Sequence, residues 1–306
     1  MAKEKRSEHS IGLINGFIAY IIWGAVILYW PYLAPAKPLE ILAHRILWSL
    51  LFVAAILIYQ KRIVSLKVVM SDSRKLKLLA VASVLIGFNW GLFIWASMNG
   101  HVLDSSLGYY ITPLFNVALG VFFFKETLRK MQWVAIGIAA FAVTFITIAM
   151  GVLPWVALSL SISFTMYGYV KKLADVQALE SLMIETLILT PIAIGYLIWL
   201  QFNGGNTFLA YGLDHTLWMA SAGIVTAIPL LAFGVAITRL PFTTLGMLQY
   251  IGPTIQFMVG VWLTQEEMPQ VRFIGFLITW VALVILTADA LRNRRNVSKS
   301  FVSDPD

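Results

Sequence analysis

No cysteine occurs in the 306 residues, which removes disulfides, thiolate metal sites and thiol nucleophiles and leaves the redox compartment unread. Charge is scarce too, at 12 % of the chain against about 25 % in a soluble domain. The four histidines, His9, His44, His101 and His215, are scattered over separate segments. There is no H-E-x-x-H pair, dense Asp motif or G-x-x-x-x-G-K-[ST] phosphate loop. The expectation is therefore no catalytic residue, no metal, no cofactor and no ATP-driven pump.

Apolar residues fill the space, at 59 % against roughly 45–50 % in soluble domains. They form runs at about 11–33, 39–59, 78–98, 103–124, 131–149, 153–170, 179–202, 217–238, 242–264 and 273–291. Runs of about 20 residues match the ~30 Å hydrocarbon core at 1.5 Å rise per residue. None alternates with period two over short segments, which argues against a β-barrel. The basic N-terminus (Lys3, Lys5, Arg6) leads into an apolar run from Ile11, superficially like a signal peptide. That run is long and aromatic and continues into Trp30-Pro31 without a small-residue cleavage site, so it reads as a retained first span.

A net charge of +7 could suggest nucleic acid, but the basic residues do not form one patch. With the N-terminus cytoplasmic, nineteen of the 22 Lys and Arg fall in cytoplasmic segments. Lys37 and Arg272 stay opposite, and Arg45 falls inside a span. The positive-inside rule thus predicts ten spans with both ends cytoplasmic.

The chain also repeats itself. Tyr110-Ile111-x-Pro113, Gly120-Val121 and Glu126 return 140 residues later as Tyr250-Ile251-x-Pro253, Gly260-Val261 and Glu266. Leu39-Glu40 returns as Leu179-Glu180, and Ser105-Ser106-Leu107-Gly108 is echoed by Thr243-Thr244-Leu245-Gly246. A repeat of five spans, an odd number, inserts its second copy upside down. The expected fold is an all-α polytopic membrane protein with units at 10–150 and 151–291 and a cytoplasmic tail at 292–306.

Pro113 and Pro253 should each kink a span. Three residues on, Asn116 and Gln256 share the helix face of the kink and could form a paired polar site near mid-membrane. The alternative is ordinary helix–helix hydrogen bonding. Trp23, Trp90 and Trp95, with Asn89 and the repeated Tyr110 and Tyr250, suit a cavity for a planar or amphipathic molecule. Packing, or lipid exposure in an aromatic belt, is the competing explanation. Arg45 and Glu185 are costly inside spans. An outer Arg45–Glu266 contact and an inner pair involving Glu126 or Glu185 are candidate gates, with snorkelling as the alternative. Glu185 or Glu126 is also the candidate for carrying a coupling proton.

The segment from Leu39 to Ser49, with His44-Arg45 at its centre, resembles RarD-type proteins. So do Asn89 to Trp95, Leu107-Gly108-Tyr109-Tyr110, and Thr244-Leu245-Gly246 with Leu248 to Ile251. These proteins form part of the EamA branch of the drug/metabolite transporter (DMT) superfamily, and the similarity spans about residues 10–290. The resemblance implies a ten-helix bacterial inner-membrane permease with two EamA repeats and a central cavity walled by spans one, three, four, six, eight and nine. It places Asn89, Trp90, Asn116, Gln249 and Gln256 in that cavity. RarD-type proteins carry a chloramphenicol permease label, and relatives export amino acids and other metabolites. The reading is a secondary transporter of a small organic substrate, exporting by alternating access. A channel, an accessory membrane protein and, least favoured, a membrane enzyme are the alternatives. Oligomeric state lies beyond the sequence.

Overall fold

A computed structural model describes residues 2–124, 128–237, 239–240 and 248–302, with side chains for 8–119, 128–236, 239–240, 248–289 and 292. Among them every regular element is helical. Helix α1 (Ala2–Ala25) runs on through 3₁₀ turns at Val26–Leu28 and Trp30–Leu33. There follow α2 (Pro38–Tyr59), α3 (Ile63–Ser71), α4 (Ser73–Met98), α5 (Val102–Phe124) and α6 (Lys130–Met150). The second half holds α7 (Trp155–Ala174), α8 (Ala178–Phe202), α9 (Gly212–Ile237), α10 (Ile251–Met258) and α11 (Gln270–Val302).

Local sequence sets the boundaries. Pro38 opens α2 where its missing N–H is not needed. The Asp72 carboxylate accepts from the backbone N–H groups of Arg74 and Lys75 and so caps α4. Gly151, at φ +69°, stops α6 and turns the chain into α7. Seven of the helices are long and apolar enough to cross a membrane: α1, α2, α4, α6, α8, α9 and α11. Helices α5 and α7 match them in length, at 23 and 20 residues, and Ile251–Leu263 is a shorter apolar segment. Large apolar side chains such as Val84, Ile148, Ile192 and Trp262 stand exposed on the outside. The exterior is built for lipid, and the chain is a multi-pass membrane protein.

The α3 helix was hidden in sequence by its basic flanks. Pro253, the third residue of α10, follows a turn at Gln249–Tyr250 that itself follows a helical Leu248, so the helical path breaks beside the proline. The segment then widens into a π-helical turn at Val259–Leu263. Pro113 lies inside α5 as expected.

Neighbour packing closes a ring: α1 against α10, α10 against α5, α5 against α7, α7 against α4, α4 against α2, α2 against α9, and α9 back against α1. Helix α8 backs α2 and α4, and the α6–α11 pair lies against α5. Between α2 and α9 the backbones nearly touch: a Cβ added at Gly223 would stand 2.3 Å from the Trp48 carbonyl carbon. Lipid offers no hydrophobic drive for helix pairing, so such close approach is a main source of association.

Candidate functional site

The ring's interior is organised by a cation. Arg45, in the second turn of α2, is 7 % exposed. Its guanidinium carbon lies 4.2 Å from the Trp90 ring centroid on α4 and 5.9 Å from that of Trp30. Its Nε donates to Thr226 Oγ1 on α9 at 2.7 Å. A desolvated cation–π contact is worth about 2 kcal/mol, and a hydrogen bond from a charged group about 1.5–3. Together these offset much of the several kcal/mol that burying the charge costs. Nη1 and Nη2 have no hydrogen-bond partner among the described residues. Tyr29 and Tyr109 lie within electrostatic range of the guanidinium.

A second polar group adjoins this cage. Asn89, 1 % exposed, donates from Nδ2 to Leu160 O and Ser163 Oγ on α7, each at 2.9 Å, and accepts from Tyr109 OH at 3.3 Å. Its amide is saturated by α5 and α7, which makes it a positioning group for Tyr109. Phe93 and Phe164 hold the Tyr109 ring from the sides. Arg45, Asn89 and Trp90, singled out from sequence, thus come together. Tyr109, Trp30, Thr226 and Ser163 complete the set. Of these, Trp30 and Tyr109 were visible in sequence, Trp30 at the end of the first apolar run and Tyr109 in the Leu107–Tyr110 segment.

The remaining candidates lie elsewhere. Trp23 packs on Tyr20 and Phe233, and its carbonyl accepts from Gln256 Nε2 at 3.4 Å. Gln256 Oε1 is buried and has no hydrogen-bond partner among the described residues. Asn116 is exposed, and no hydrogen bond joins it to Gln256. Tyr110 bonds Thr254 Oγ1 at 2.7 Å and stacks on Tyr250. Both tyrosines line an apolar groove of about 500 Å³ beside α11, whose wall includes the well exposed Val284. Gln249 is half-buried before α10. Trp95 stacks on His101 beside the His101–Asp104–Arg272 cluster.

The structure does not form the expected Arg45–Glu266 pair. Glu266 instead takes the Val102 and Leu103 N–H groups at 2.6 and 2.9 Å, capping α5. Charge at a helix N-terminus suffices to hold it there. Glu266→Ala is expected to lower stability by about 0.5–2 kcal/mol, measured by thermal unfolding in detergent. Glu185 does have an ion pair, with Lys171 at 2.8 Å, supported by Tyr167 OH and Ser181 Oγ at 3.0 and 2.6 Å. Arg239 pairs with Glu8. Glu126 lies outside the described residues, as does the echo at 243–246. Two buried acids went unremarked as site groups. Glu180 meets Arg62 at 2.7 Å, and Glu40 accepts from the Thr207 N–H and hydroxyl.

Residues 10–148 match the EamA-like transporter family. Protein RarD of Streptomyces exfoliatus is 47 % identical over 289 residues, covering 94 % of this chain and 92 % of that protein. The chain belongs to the EamA-like transporter family. Within it the chain groups with RarD proteins, and so with the DMT superfamily. Protein RarD of Escherichia coli (strain K12) is 40 % identical over 290 residues, 94 % of this chain and 97 % of that one. The uncharacterized transporter YojE of Bacillus subtilis (strain 168) is 37 % identical over 97 % and 99 % of the two chains. A solved crystal structure shares the fold at 15 % identity, with TM-score 0.57 over 90 % of this chain and 97 % of that one.

Proposed function

We propose that this DMT-superfamily protein is a secondary transporter exporting a small organic metabolite or drug by alternating access across the bacterial inner membrane. It has ten spans in two inverted five-helix repeats, at 10–150 and 151–291, with both ends cytoplasmic. The observation that carries this is the closed ring of apolar helices around the Arg45–Trp90–Asn89–Tyr109 group. Such a ring has little reason to hold polar chemistry unless a solute passes through it. The inversion draws support from Glu40 and Glu180, which correspond under the repeat. Each is buried in the first turn of its helix. Glu40 is tied to the loop before α9, and Glu180 to Arg62 just after α2, so the two sit at opposite ends of α2.

The gates, on this reading, are the polar clusters at those ends: Arg62–Glu180 and Lys171–Glu185 inside, Glu40–Thr207–His215 outside. Glu185 is the coupling group if protons drive export, because its ion pair can exchange one for Lys171. In proteoliposomes loaded with unlabelled chloramphenicol or an amino acid, saturable counterflow of the labelled compound is expected for a substrate. Linear flux without exchange would mean a channel. Absence of flux across a broad metabolite panel would favour an accessory membrane protein.

A further inference from the structure

The buried ions of this protein are nearly all answered. Among the described residues Glu185 has Lys171, Glu180 has Arg62, Asp289 has Arg129, and Glu266 and Glu40 have N–H donors. Arg45 stands apart: it is more than nine-tenths buried, and no carboxylate of the described residues lies within ion-pair reach. Its one protein hydrogen bond uses Nε, and its flat face is covered by Trp90. That leaves the Nη1–Nη2 edge, two parallel donors with no hydrogen-bond partner among the described residues. The edge matches the two oxygens of a carboxylate. No second cation from the described residues joins it, so one negative charge neutralises the site and two would leave an excess in a low-dielectric interior.

We propose that Arg45 binds the carboxylate of a monoanionic organic substrate end-on through Nη1 and Nη2, with the substrate's flat apolar body among Trp30, Trp90 and Tyr109. This rests on the transporter reading and narrows its substrate to organic acids, zwitterions included. Substrate binding completes the ion pair that the protein itself leaves open. The indoles hold the guanidinium at a fixed tilt, so the bidentate geometry is preorganised.

The test is calorimetric titration of the full-length protein in neutral detergent. The ligands are benzoate and indole-3-carboxylate, their primary amides, and phenyl phosphate. The acids are expected to bind about a hundredfold more tightly than the amides, the scale of a desolvated charge pair. Phenyl phosphate should fall below benzoate. Arg45→Gln should erase the preference for acid over amide. Arg45→Lys, which keeps the charge but loses the fork, should retain part of it. Gel-filtration profiles and near-UV spectra matching wild type show that both variants fold.

Amides binding as well as acids, acid preference surviving Arg45→Gln, or no acid binding at all would overturn the proposal. Stronger phosphate than carboxylate binding would overturn the monoanion class. Competition by phosphatidylglycerol vesicles would assign the edge to a lipid headgroup instead. The two readings fail separately. Arg45-independent counterflow of neutral compounds would sink the carboxylate site and leave the transporter standing. Acid binding at Arg45 without counterflow of any compound would do the reverse.

Discussion

Gly223→Ala is expected to cause one of the largest losses of folded protein available from a single methyl group. An added Cβ would lie 2.3 Å from the Trp48 carbonyl carbon, 2.4 Å from its oxygen and 2.7 Å from the Ser49 nitrogen. These are backbone atoms, with no side-chain rotamer to swing away, so α2 and α9 must separate. Overpacking costs about 1–3 kcal/mol where side chains can adjust, and here the upper end or beyond is expected. The damage should reach the site, because Thr226 lies one turn from Gly223 and Arg45 one turn from Trp48. Opening the crossing withdraws the Thr226 hydroxyl from Arg45 Nε. The measurement is thermal unfolding in detergent beside Gly168→Ala, whose added Cβ meets nothing within 4 Å. That control should be neutral or stabilising by up to about 1 kcal/mol. Equal behaviour of the two variants would mean that the α2–α9 approach is looser than described.

Glu185→Ala should cost about 3–5 kcal/mol, the penalty for breaking a buried ion pair from one side. Glu185 is 1 % exposed and gathers Lys171, Ser181 and Tyr167, which tie α7 to α8. Removing it leaves the ammonium without its carboxylate, bonded only to Ser181 Oγ, and takes the acceptor from the Tyr167 hydroxyl. Lys171 is 23 % exposed and can reach toward water, so the lower part of that range is expected. A double variant, Lys171→Met with Glu185→Leu, should recover most of the loss, because a packed apolar pair replaces the charges without leaving one unpaired. The double variant also separates structure from coupling. If it is stable and still drives counterflow but loses proton-driven transport, Glu185 is the coupling group. If both activities persist, the pair is structural.

How much of this was legible in the sequence follows from which forces are local. Span positions were readable because hydrocarbon thickness fixes helix length, and α2, α5, α6 and α8 begin and end within a residue of their apolar runs. The break before α10 was legible because a proline frees the carbonyl four residues earlier, and the turn at Gln249–Tyr250 falls there. Arg45, Asn89 and Trp90 were visible as polar or aromatic residues in apolar runs. Their partners were not, since Thr226 and Ser163 look like ordinary small residues until α9 and α7 are packed. The Arg45–Glu266 pairing failed for a similar reason. Charge complementarity in sequence ignores backbone donors, and two helix N–H groups claim Glu266 first.

The Arg45 bond to Thr226 closes over 181 residues of chain. At a synthesis rate of about 5–20 residues per second, α2 waits roughly 10–35 s for that hydroxyl to be made. Thr207, which receives Glu40, also arrives late, 167 residues downstream. During that interval the nascent α2 carries an arginine and a glutamate without these hydrogen-bond partners, although Trp30 and Trp90 are already made. Their residence in bare lipid is costly. Keeping α2 out of bare lipid until α9 emerges is thus a demand that these long-range bonds place on membrane insertion.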